Sequence, residues 1–288
     1  MAVLTPATLD EALQILTARP DALALAGGTD LLVELNEGHR RLTWGDDDVV
    51  ALNRVPELST WTVDPSARLL TIGAGVTWAT IEREPLRSLV PALAEAARTV
   101  GSPQIRNAGT VGGNLATCSP AGDGLPVLSA LDAMVRLRSS SGERALPIGE
   151  FMVGVKRTAL RPGELIASVT VPLLDGWQGY SKVGVRNAMV IAIAGVCVAT
   201  DVASRSVRVA MGSVAPTIVR GTAAEEYAAS AVDWEGLTVT AEAARRFGEL
   251  ATEATSPIDD HRASAAYRRH AVGVLAARLL FRAFPGGA

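Results

Sequence analysis

The sequence predicts an α+β protein of two domains. Its 288 residues amount to about two domains at roughly 150 residues each. Hydrophobic residues make up 48% of the chain and charged residues 20%, a composition from which globular cores form. In the last third, apolar strand-like runs come first and helical runs follow, which is the order typical of α+β domains. The segment PLLDG at residues 172–176 is the best linker between the two domains.

The first elements form a small β-α-β-like unit. Residues 8–11 have a capping-box pattern, and apolar residues then recur at helical spacing. A short strand over residues 22–26 ends in paired glycines, and Thr29 or Asp30 is expected to cap the next short helix. Another short strand is expected over residues 49–52.

A second region begins near Trp61 and mixes strands with helices. The pattern predicts strands over residues 69–73, 133–138 and 165–171, and helices over residues 77–83, 86–100 and 125–131. Between them, residues 101–120 carry four glycines, which predicts a segment without a helix. The C-terminal third is predicted to have strands over residues 179–185, 191–200 and 207–211 and helices over about 223–231, 240–253 and 263–284.

Composition and charge exclude several classes of function. The 27 basic and 30 acidic residues give a net charge of −3, which does not support nucleic-acid binding. Cys118 and Cys197 are too few and too far apart for an iron–sulfur cluster, a cysteine-rich zinc site or a disulfide framework. The histidines, His39, His261 and His270, have no metal-binding spacing, so no metal ligand is assigned.

The chain is expected to be cytoplasmic and without membrane insertion. Its longest nearly apolar run, residues 188–199, is too short to cross a bilayer. The N-terminus has no basic segment followed by an apolar one, as a secretory signal would have. The acidic run at residues 46–48 is expected to be a solvated loop.

The first motif with chemical meaning is LAGGTDL at residues 25–31, where a strand ends in two glycines before a helix. Glycine lets the backbone approach a ligand closely and adopt positive φ. Free N–H groups in such a turn bind a phosphate. The alternative is a tight strand-to-helix turn with an ordinary cap.

The second motif is GTVGGNLA at residues 109–116, which runs on to SPAGD at residues 119–123. With the first motif it would hold a diphosphate from both sides. Asp123 is suited to accept hydrogen bonds from a ribose, as an acidic residue does in other dinucleotide sites. The alternative is a surface loop in which Asp123 caps the helix that begins at Leu125.

Other nucleotide-binding and catalytic signatures are absent. Gly73-Ala74-Gly75 has Trp78 where the third glycine of a Rossmann fingerprint belongs, and there is no P-loop. The G-x-S-x-G motif is also absent, and Cys118 is expected to be a packing residue. His261 and His270 are expected at the surface. No catalytic side chain is assigned, since the sequence is typical of a protein that holds a cofactor.

Eight motifs occur in one order: AGGTDL at 26–31, IGA at 72–74, QIRNAG at 104–109, TVGGN at 110–114, SPAGD at 119–123, PGELI at 162–166, KVGVR at 182–186 and DDHRAS at 259–264. In this order they resemble the FAD-binding (medium) subunit of the molybdenum-containing hydroxylases. That family includes bacterial xanthine dehydrogenases, carbon monoxide dehydrogenase, nicotinate-type dehydrogenases and aldehyde oxidoreductases. The resemblance extends over essentially the whole chain.

The resemblance implies a fold. A two-lobed FAD-binding domain of the vanillyl-alcohol-oxidase (PCMH) type is expected over residues 1–174, with lobes at about 1–55 and 56–174 and FAD between them. An α+β C-terminal domain of the medium-subunit type is expected over residues 175–288. This boundary agrees with the linker found independently at residues 172–176.

The resemblance also implies roles for individual residues. The first diphosphate loop, acting mainly through backbone N–H groups, is Leu23, Ala24, Leu25, Ala26, Gly27, Gly28, Thr29, Asp30 and Leu31. The second is Thr110, Val111, Gly112, Gly113 and Asn114. Asp123 is expected at the ADP portion, Ile166 near the adenine, and Lys182 at the cofactor, where a positive charge suits a flavin or its phosphates. The first loop has neither histidine nor cysteine, so FAD is expected to be non-covalent.

The implied function is electron transfer within a complex. A large partner subunit with a molybdenum cofactor would hydroxylate the substrate, and a small partner with [2Fe–2S] clusters would pass electrons to FAD on this chain. The acceptor would be NAD or another molecule. A dimer of heterotrimers is expected, most like xanthine dehydrogenase, and residues 182–190 favour the xanthine and nicotinate group. The alternatives are a stand-alone FAD-dependent oxidase of the wider fold and an assembly subunit without FAD.

Overall fold

The computed structural model describes residues 2–38 and 48–286. The first unit has three parallel strands in the order β1-β3-β2 and two helices. Its elements are β1 (Val3–Leu4), α1 (Leu9–Ala18), β2 (Leu23–Leu25), α2 (Leu31–Asn36) and β3 (Val49–Ala51). This agrees with the β-α-β-like unit that the sequence predicts. His39, Asp46 and Asp47 lie outside the described residues, and Asp48 is paired with Arg19.

The start of α1 follows its capping box, whereas the start of α2 does not have the expected cap. The Thr8 hydroxyl accepts a hydrogen bond from the Glu11 N–H at 3.1 Å. Asp30 occupies the N-cap position of α2, but its side chain makes no capping bond. Its carboxylate instead accepts a hydrogen bond from the Thr117 hydroxyl at 2.9 Å. The expectation that Thr29 or Asp30 caps α2 with its side chain is therefore wrong: Asp30 occupies the N-cap position, and its carboxylate accepts from a distant hydroxyl instead.

The second unit is built around a five-stranded antiparallel sheet in the order β4-β5-β10-β6-β7. The strands are β4 (Trp61–Asp64), β5 (Leu69–Gly73), β6 (Met134–Ser139), β7 (Gly142–Pro147) and β10 (Leu165–Pro172), with a small pair β8 (Met152–Gly154) and β9 (Arg157–Thr158). The helices are α3 (Trp78–Ile81), α4 (Leu86–Leu89), α5 (Pro91–Thr99), α6 (Pro103–Ala108), α7 (Val111–Thr117), α8 (Gly124–Ala130) and α9 (Ile148–Phe151).

Residues 101–120 contain two helices, α6 and α7, where the sequence predicts none. Each helix begins after a hydroxyl residue, Ser102 or Thr110, whose side chain accepts a hydrogen bond from the N–H three residues later. Each cap provides an acceptor for an N–H group of the first turn, and this stabilisation outweighs the low helix propensity of glycine.

The helix expected over residues 86–100 is divided into α4 and α5. Val90 lies between them with φ −136° and ψ 68°, outside the helical region. The reason is Pro91, which disfavours helical geometry at the residue before it and begins the next helix.

The third unit is a four-stranded antiparallel sheet in the order β11-β12-β13-β14, covered by three helices. Its strands are β11 (Gln178–Val183), β12 (Ala194–Asp201), β13 (Ser206–Gly212) and β14 (Val219–Arg220), and its helices are α10 (Thr222–Ala231), α11 (Ala241–Glu253) and α12 (Ala265–Ala283). The predicted order of strands and then helices is present. Within the described ranges, no helix is long and apolar enough to cross a membrane.

Strand β12 contributes to two hydrophobic cores. Ala194, Val196 and Val198 are buried among the helices of the third unit. Cys197 and Ala199 are buried in the core of the second unit, on the opposite face. Successive side chains of a strand point to opposite faces, so a strand covered on both faces is continuously apolar. This explains the apolar run of the sequence and joins the C-terminal sheet firmly to the rest of the chain.

Candidate functional site

A cleft of about 1010 Å³ lies where the predicted motifs converge. Its walls come mainly from residues 24–31, from α6 and α7, and from Ser119 and residues 121–123. Residues 164–166 and 189–191 add to the lining, as do residues near 52, 58, 75 and 101. This volume is at the upper end of the range of small-molecule sites.

The first segment offers backbone N–H groups to the cleft. In the part of the chain that the structure describes, those of Gly28, Thr29 and Asp30 donate to no protein acceptor. Gly28 has φ +69°, a backbone conformation that residues with a Cβ rarely adopt. Gly27 has a different role, because a Cβ there would lie 1.9 Å from the carbonyl oxygen of Ala108. One glycine of the pair shapes the turn, and the other lets two backbones touch.

The second segment is the first turn of α7, and its N–H groups are already bonded. The N–H of Val111 donates to Val76 O at 3.0 Å and that of Gly112 to Ala74 O at 2.7 Å. The N–H of Gly113 donates to the Thr110 hydroxyl at 2.9 Å. A ligand at this segment would therefore meet its side chains and its glycine surface.

The two glycines of α7 also differ. A Cβ on Gly112 would lie 2.5 Å from the Cβ of Ala74, whereas a Cβ on Gly113 would meet only the Thr110 hydroxyl, at 3.1 Å. Beside Gly113, the Oδ1 atom of Asn114 is buried and has no hydrogen-bond partner. A buried polar atom without a partner is uncommon and indicates an unmet interaction. Gly113 and Asn114 thus form a cradle on the cleft wall.

Two side-chain contacts join the first unit to the second near the cleft. The Thr117 hydroxyl donates to Asp30 Oδ2 at 2.9 Å, and Lys156 Nζ lies 2.7 Å from Glu34 Oε1. Both link α2 and the turn before it to the second unit. The first segment is therefore held against α7 by the Thr117 contact and against α6 by the close approach of Gly27 to Ala108.

Asp123 lines the cleft, but both of its carboxylate oxygens are bonded within the chain. Oδ1 accepts a hydrogen bond from the Tyr180 hydroxyl at 2.9 Å, and Oδ2 lies 2.7 Å from Lys182 Nζ. Burial raises the pKa of Asp123, which the charge of Lys182 and the Tyr180 hydroxyl oppose. The alternative that Asp123 caps the helix near Leu125 is wrong, because its side chain makes no capping bond to α8.

All but three of the residues assigned to the cofactor line this cleft. The exceptions are Leu23, Val111 and Lys182. Leu23 lies in β2, and Val111 is fully buried in the core. The Lys182 ammonium group contacts Asp123 and the Thr99 carbonyl. Ile166 in β10 lines the cleft and is 7% exposed. Whether each residue contacts a cofactor stays a prediction.

The sequence gives little signal for several other lining residues. The side chain of Trp78 is 2% exposed and packs closely on Gly124, where a Cβ would lie 2.4 Å from its ring. Met189, Val190 and Ile191 line the cleft from the loop between β11 and β12. That loop falls at the start of the apolar run at residues 188–199, and its position over the cleft follows only from the tertiary structure.

The reactive side chains lie elsewhere or are buried. Cys118 and Cys197 are unpaired and buried, and burial raises the pKa of both thiols. His261 and His270 are exposed, as the sequence predicts. Among the described residues, no group of three or more histidine, cysteine, aspartate or glutamate side chains is placed to hold a metal ion.

Two protein families match the chain. Residues 1–174 match the FAD binding domain in molybdopterin dehydrogenase, and residues 180–283 match the CO dehydrogenase flavoprotein C-terminal domain. The first match covers most of the cleft wall, and the second covers residues 189–191 of the wall together with Tyr180 and Lys182.

Individual relatives agree with these families. The nicotinate dehydrogenase FAD-subunit of Eubacterium barkeri is 38% identical over 199 residues, which is 66% of this chain and 65% of that protein. The glyceraldehyde dehydrogenase medium chain of Sulfolobus acidocaldarius is 31% identical over 272 residues, or 93% of this chain and 92% of that protein.

Solved structures share the fold. The quinoline 2-oxidoreductase of Pseudomonas putida 86 has a chain that superposes with a TM-score of 0.86 at 26% identity, covering 98% of this chain and 96% of that one. The reconstituted CO dehydrogenase of Oligotropha carboxidovorans also gives a TM-score of 0.86 at 26% identity, covering 98% and 97%.

Proposed function

Because the chain belongs to the family of FAD-binding subunits of the molybdenum hydroxylases, we propose that it holds FAD in the cleft described above and transfers electrons within a larger complex. The observation that carries the proposal is the opposition of two surfaces across one cleft. On one side are the unpartnered N–H groups of Gly28, Thr29 and Asp30. On the other is the cradle of Gly113 and Asn114.

The cleft has the chemical features that FAD requires. Unpartnered N–H groups in a glycine turn suit a diphosphate, whose oxygens are strong acceptors. The open surface at Gly113 admits a ligand that a larger side chain would exclude. The cleft of about 1010 Å³ is large enough for an extended dinucleotide. The residues present therefore fit the cofactor.

Each wall would have its own part in binding. The Gly28 turn would donate to the diphosphate, and the side chains of Thr110 and Asn114 would contact it from the other side. Ile166 would pack near the adenine. Asp123 has both carboxylate oxygens bonded to Tyr180 and Lys182, so it would meet the ADP portion with its remaining lone pairs, and Lys182 would act through it.

When bound, FAD supplies the redox chemistry of the subunit. The residues of this chain bind and orient the cofactor, and the buried side chains of Trp78 and Ile166 exclude water from the cleft wall. No side chain of the chain is assigned a catalytic role. Neither histidine nor cysteine occurs in residues 23–31, which supports non-covalent binding.

The partners in this proposal are a large subunit with a molybdenum cofactor and a small subunit with [2Fe–2S] clusters, in a dimer of heterotrimers. Electrons would pass from the clusters to FAD and then to NAD or another acceptor. The names of relatives, such as the medium chain of glyceraldehyde dehydrogenase and the FAD-subunit of nicotinate dehydrogenase, support a multi-subunit enzyme. The xanthine and nicotinate group is the favoured subgroup, and a cytoplasmic location stays a prediction of the sequence.

Reconstitution tests the cofactor assignment. The purified full chain, incubated with FAD and desalted, is expected to retain about one flavin per chain, released by acid into the supernatant. Folded protein that retains no flavin would refute the assignment and would favour an assembly subunit. Co-expression with its two expected partners is expected to give a complex containing molybdenum and iron. A single chain that turns over a substrate without partners would support the stand-alone oxidase instead.

A further inference from the structure

Arg268 in α12 is a buried charge that the proposed function leaves unexplained. Arg268 is only 4% exposed, although arginine is seldom buried. One terminal nitrogen, Nη1, donates to Ile193 O at 2.6 Å and to Ser213 O at 3.0 Å. The other, Nη2, donates to Asp260 Oδ1 at 2.7 Å. Asp260 belongs to the DDHRAS motif at residues 259–264, whose purpose the sequence does not indicate.

Ser213, which receives one of these bonds, is itself unusually constrained. It has φ +64°, a conformation uncommon for residues other than glycine. Its N–H donates to Pro120 O at 2.8 Å, and its hydroxyl donates to Ala192 O at 2.9 Å. Strained backbone of this kind persists only where the surroundings enforce it. Here three hydrogen bonds enforce it, one of them from Arg268.

The carbonyls of Pro120, Ala192 and Ile193 lie next in the chain to residues that line two walls of the cleft. Pro120 lies between Ser119 and Ala121, which line the cleft next to Asp123. Ala192 and Ile193 directly follow residues 189–191, which line it from the loop between β11 and β12. Through Ser213 and Ile193, Arg268 therefore connects the C-terminal helices to both walls.

We propose that Arg268, paired with Asp260, is a positioning residue for the cofactor cleft. The guanidinium fixes Ile193 and Ser213, and Ser213 in turn fixes Pro120 and Ala192. Burying a charge costs free energy unless the charge is paired and hydrogen-bonded. The burial of Arg268 at this position therefore indicates that the bonded backbone segments must keep a fixed geometry. Hydrogen bonds from a charged donor are also shorter and stronger than neutral ones. The proposal rests on FAD as the ligand of the cleft.

Ser213→Gly separates positioning from stability. Glycine adopts positive φ without strain, so the variant is expected to fold. The variant lacks the hydroxyl that donates a hydrogen bond to the Ala192 carbonyl oxygen. FAD binding is therefore expected to weaken by about threefold, the equivalent of one neutral hydrogen bond. The affinity is measured by flavin fluorescence titration of the apoprotein, and the visible circular dichroism of bound flavin reports the geometry of the site.

Arg268→Lys keeps the positive charge but has no planar fork to reach both carbonyls and Asp260. It is expected to weaken FAD binding by about tenfold, the equivalent of one charge-assisted hydrogen bond, and to alter the flavin dichroism. Arg245→Met in the same domain is the control, because Arg245 is exposed and its ion pair is with Glu249 on its own helix. It is expected to leave affinity and spectrum unchanged.

The outcomes separate this inference from the proposed function. A folded wild-type chain that binds no FAD would overturn the proposed function and the inference with it. Wild-type protein that binds FAD, with unchanged affinity and spectrum in both Arg268→Lys and Ser213→Gly, would overturn the inference alone. If Arg268→Lys does not fold, Asp260→Asn takes its place, because it weakens the contact to Nη2 and leaves both carbonyl contacts of Arg268 intact. Unchanged affinity and spectrum in Asp260→Asn would then overturn the inference.

Discussion

The ammonium group of Lys182 lies 2.7 Å from the carboxylate of Asp123, and the two side chains are only 8% and 9% exposed. Lys182 belongs to β11 and Asp123 immediately precedes α8, so the ion pair joins the C-terminal sheet to the FAD-binding part of the chain. Tyr180 donates to the same carboxylate, and burial raises the pKa of its phenol well above the ordinary value. The phenol therefore stays protonated and remains a donor.

Removing Lys182 should be strongly destabilising. Lys182→Met leaves the Asp123 carboxylate buried without its cation, which is expected to lower the free energy of unfolding by about 3–5 kcal/mol. The double variant Asp123→Asn with Lys182→Met is expected to lose less than the sum of the two single changes, since no charge is then left unpaired. Urea unfolding of the four proteins measures these differences.

The control for this cycle is an exposed ion pair. Arg138 pairs with Asp10, and these side chains are 39% and 74% exposed. Arg138→Met is expected to change stability by less than about 1 kcal/mol. If Lys182→Met costs no more than Arg138→Met, the Lys182–Asp123 pair does not hold the domains together.

Gly113→Val should reduce FAD retention without unfolding the protein. A Cβ at this position meets only the Thr110 hydroxyl, so the valine would project into the cleft where the cofactor is proposed to lie. Flavin retained after desalting is expected to fall at least about tenfold, in line with the loss of a close backbone approach. Gly149→Val is the matched control, because a Cβ there would meet no other part of the described chain within 4 Å beyond its own helix backbone and its chain neighbours. Equal flavin content in both variants would contradict the assignment of the α7 wall.

Gly27→Ala should lower the stability of the fold itself, even without FAD. The new Cβ would lie 1.9 Å from the Ala108 carbonyl oxygen, a backbone atom that cannot move aside cheaply. The expected loss is at least about 1–3 kcal/mol of unfolding free energy, as for other overpacked sites. Denaturant unfolding of the apoprotein measures it, with Gly149→Ala as the control. A fully stable Gly27→Ala variant would show that the two backbones are not in contact.

The Asp260–Arg268 pair should contribute a pH-dependent term to stability. Burial alone would raise the pKa of Asp260, but the N–H groups of Arg262 and Ala263 and the guanidinium of Arg268 lower it from 3.8 to about 2. A carboxyl with a depressed native pKa stabilises the fold above its unfolded pKa, and this contribution is lost as the pH falls toward the native value. The window is therefore between about pH 4 and pH 2.

The measurement compares wild type with Asp260→Asn. The difference in unfolding free energy between them is expected to be largest above about pH 5 and to shrink as the pH falls below 4. Other carboxyls titrate in both proteins, so only the difference is informative. A difference that does not change with pH would show that Asp260 is not held as a carboxylate.

Much of the local structure follows from local signals. Helix α1 follows its capping box at residues 8–11 and its apolar spacing, and β12 follows its apolar run. The structure of residues 101–120 does not follow from such signals. Their glycine content predicts no helix, yet two helices begin there after the capping hydroxyls of Ser102 and Thr110. Ser102 and Thr110 carry the available signal, and capping by them outweighs the propensity of the residues that come after.

By itself, the sequence determined the α+β class, the order of strands and then helices in the last third, the two glycine motifs, and membership in a family of FAD-binding subunits. Only the tertiary structure decided which glycine touches backbone and which faces the cleft, and that Lys182 binds Asp123. It also decided that Arg268 holds Ile193 and Ser213. The physical reason is distance along the chain. Periodicity and caps act over a few residues, whereas Lys182 and Asp123 are separated by 59 positions and Arg268 and Ile193 by 75.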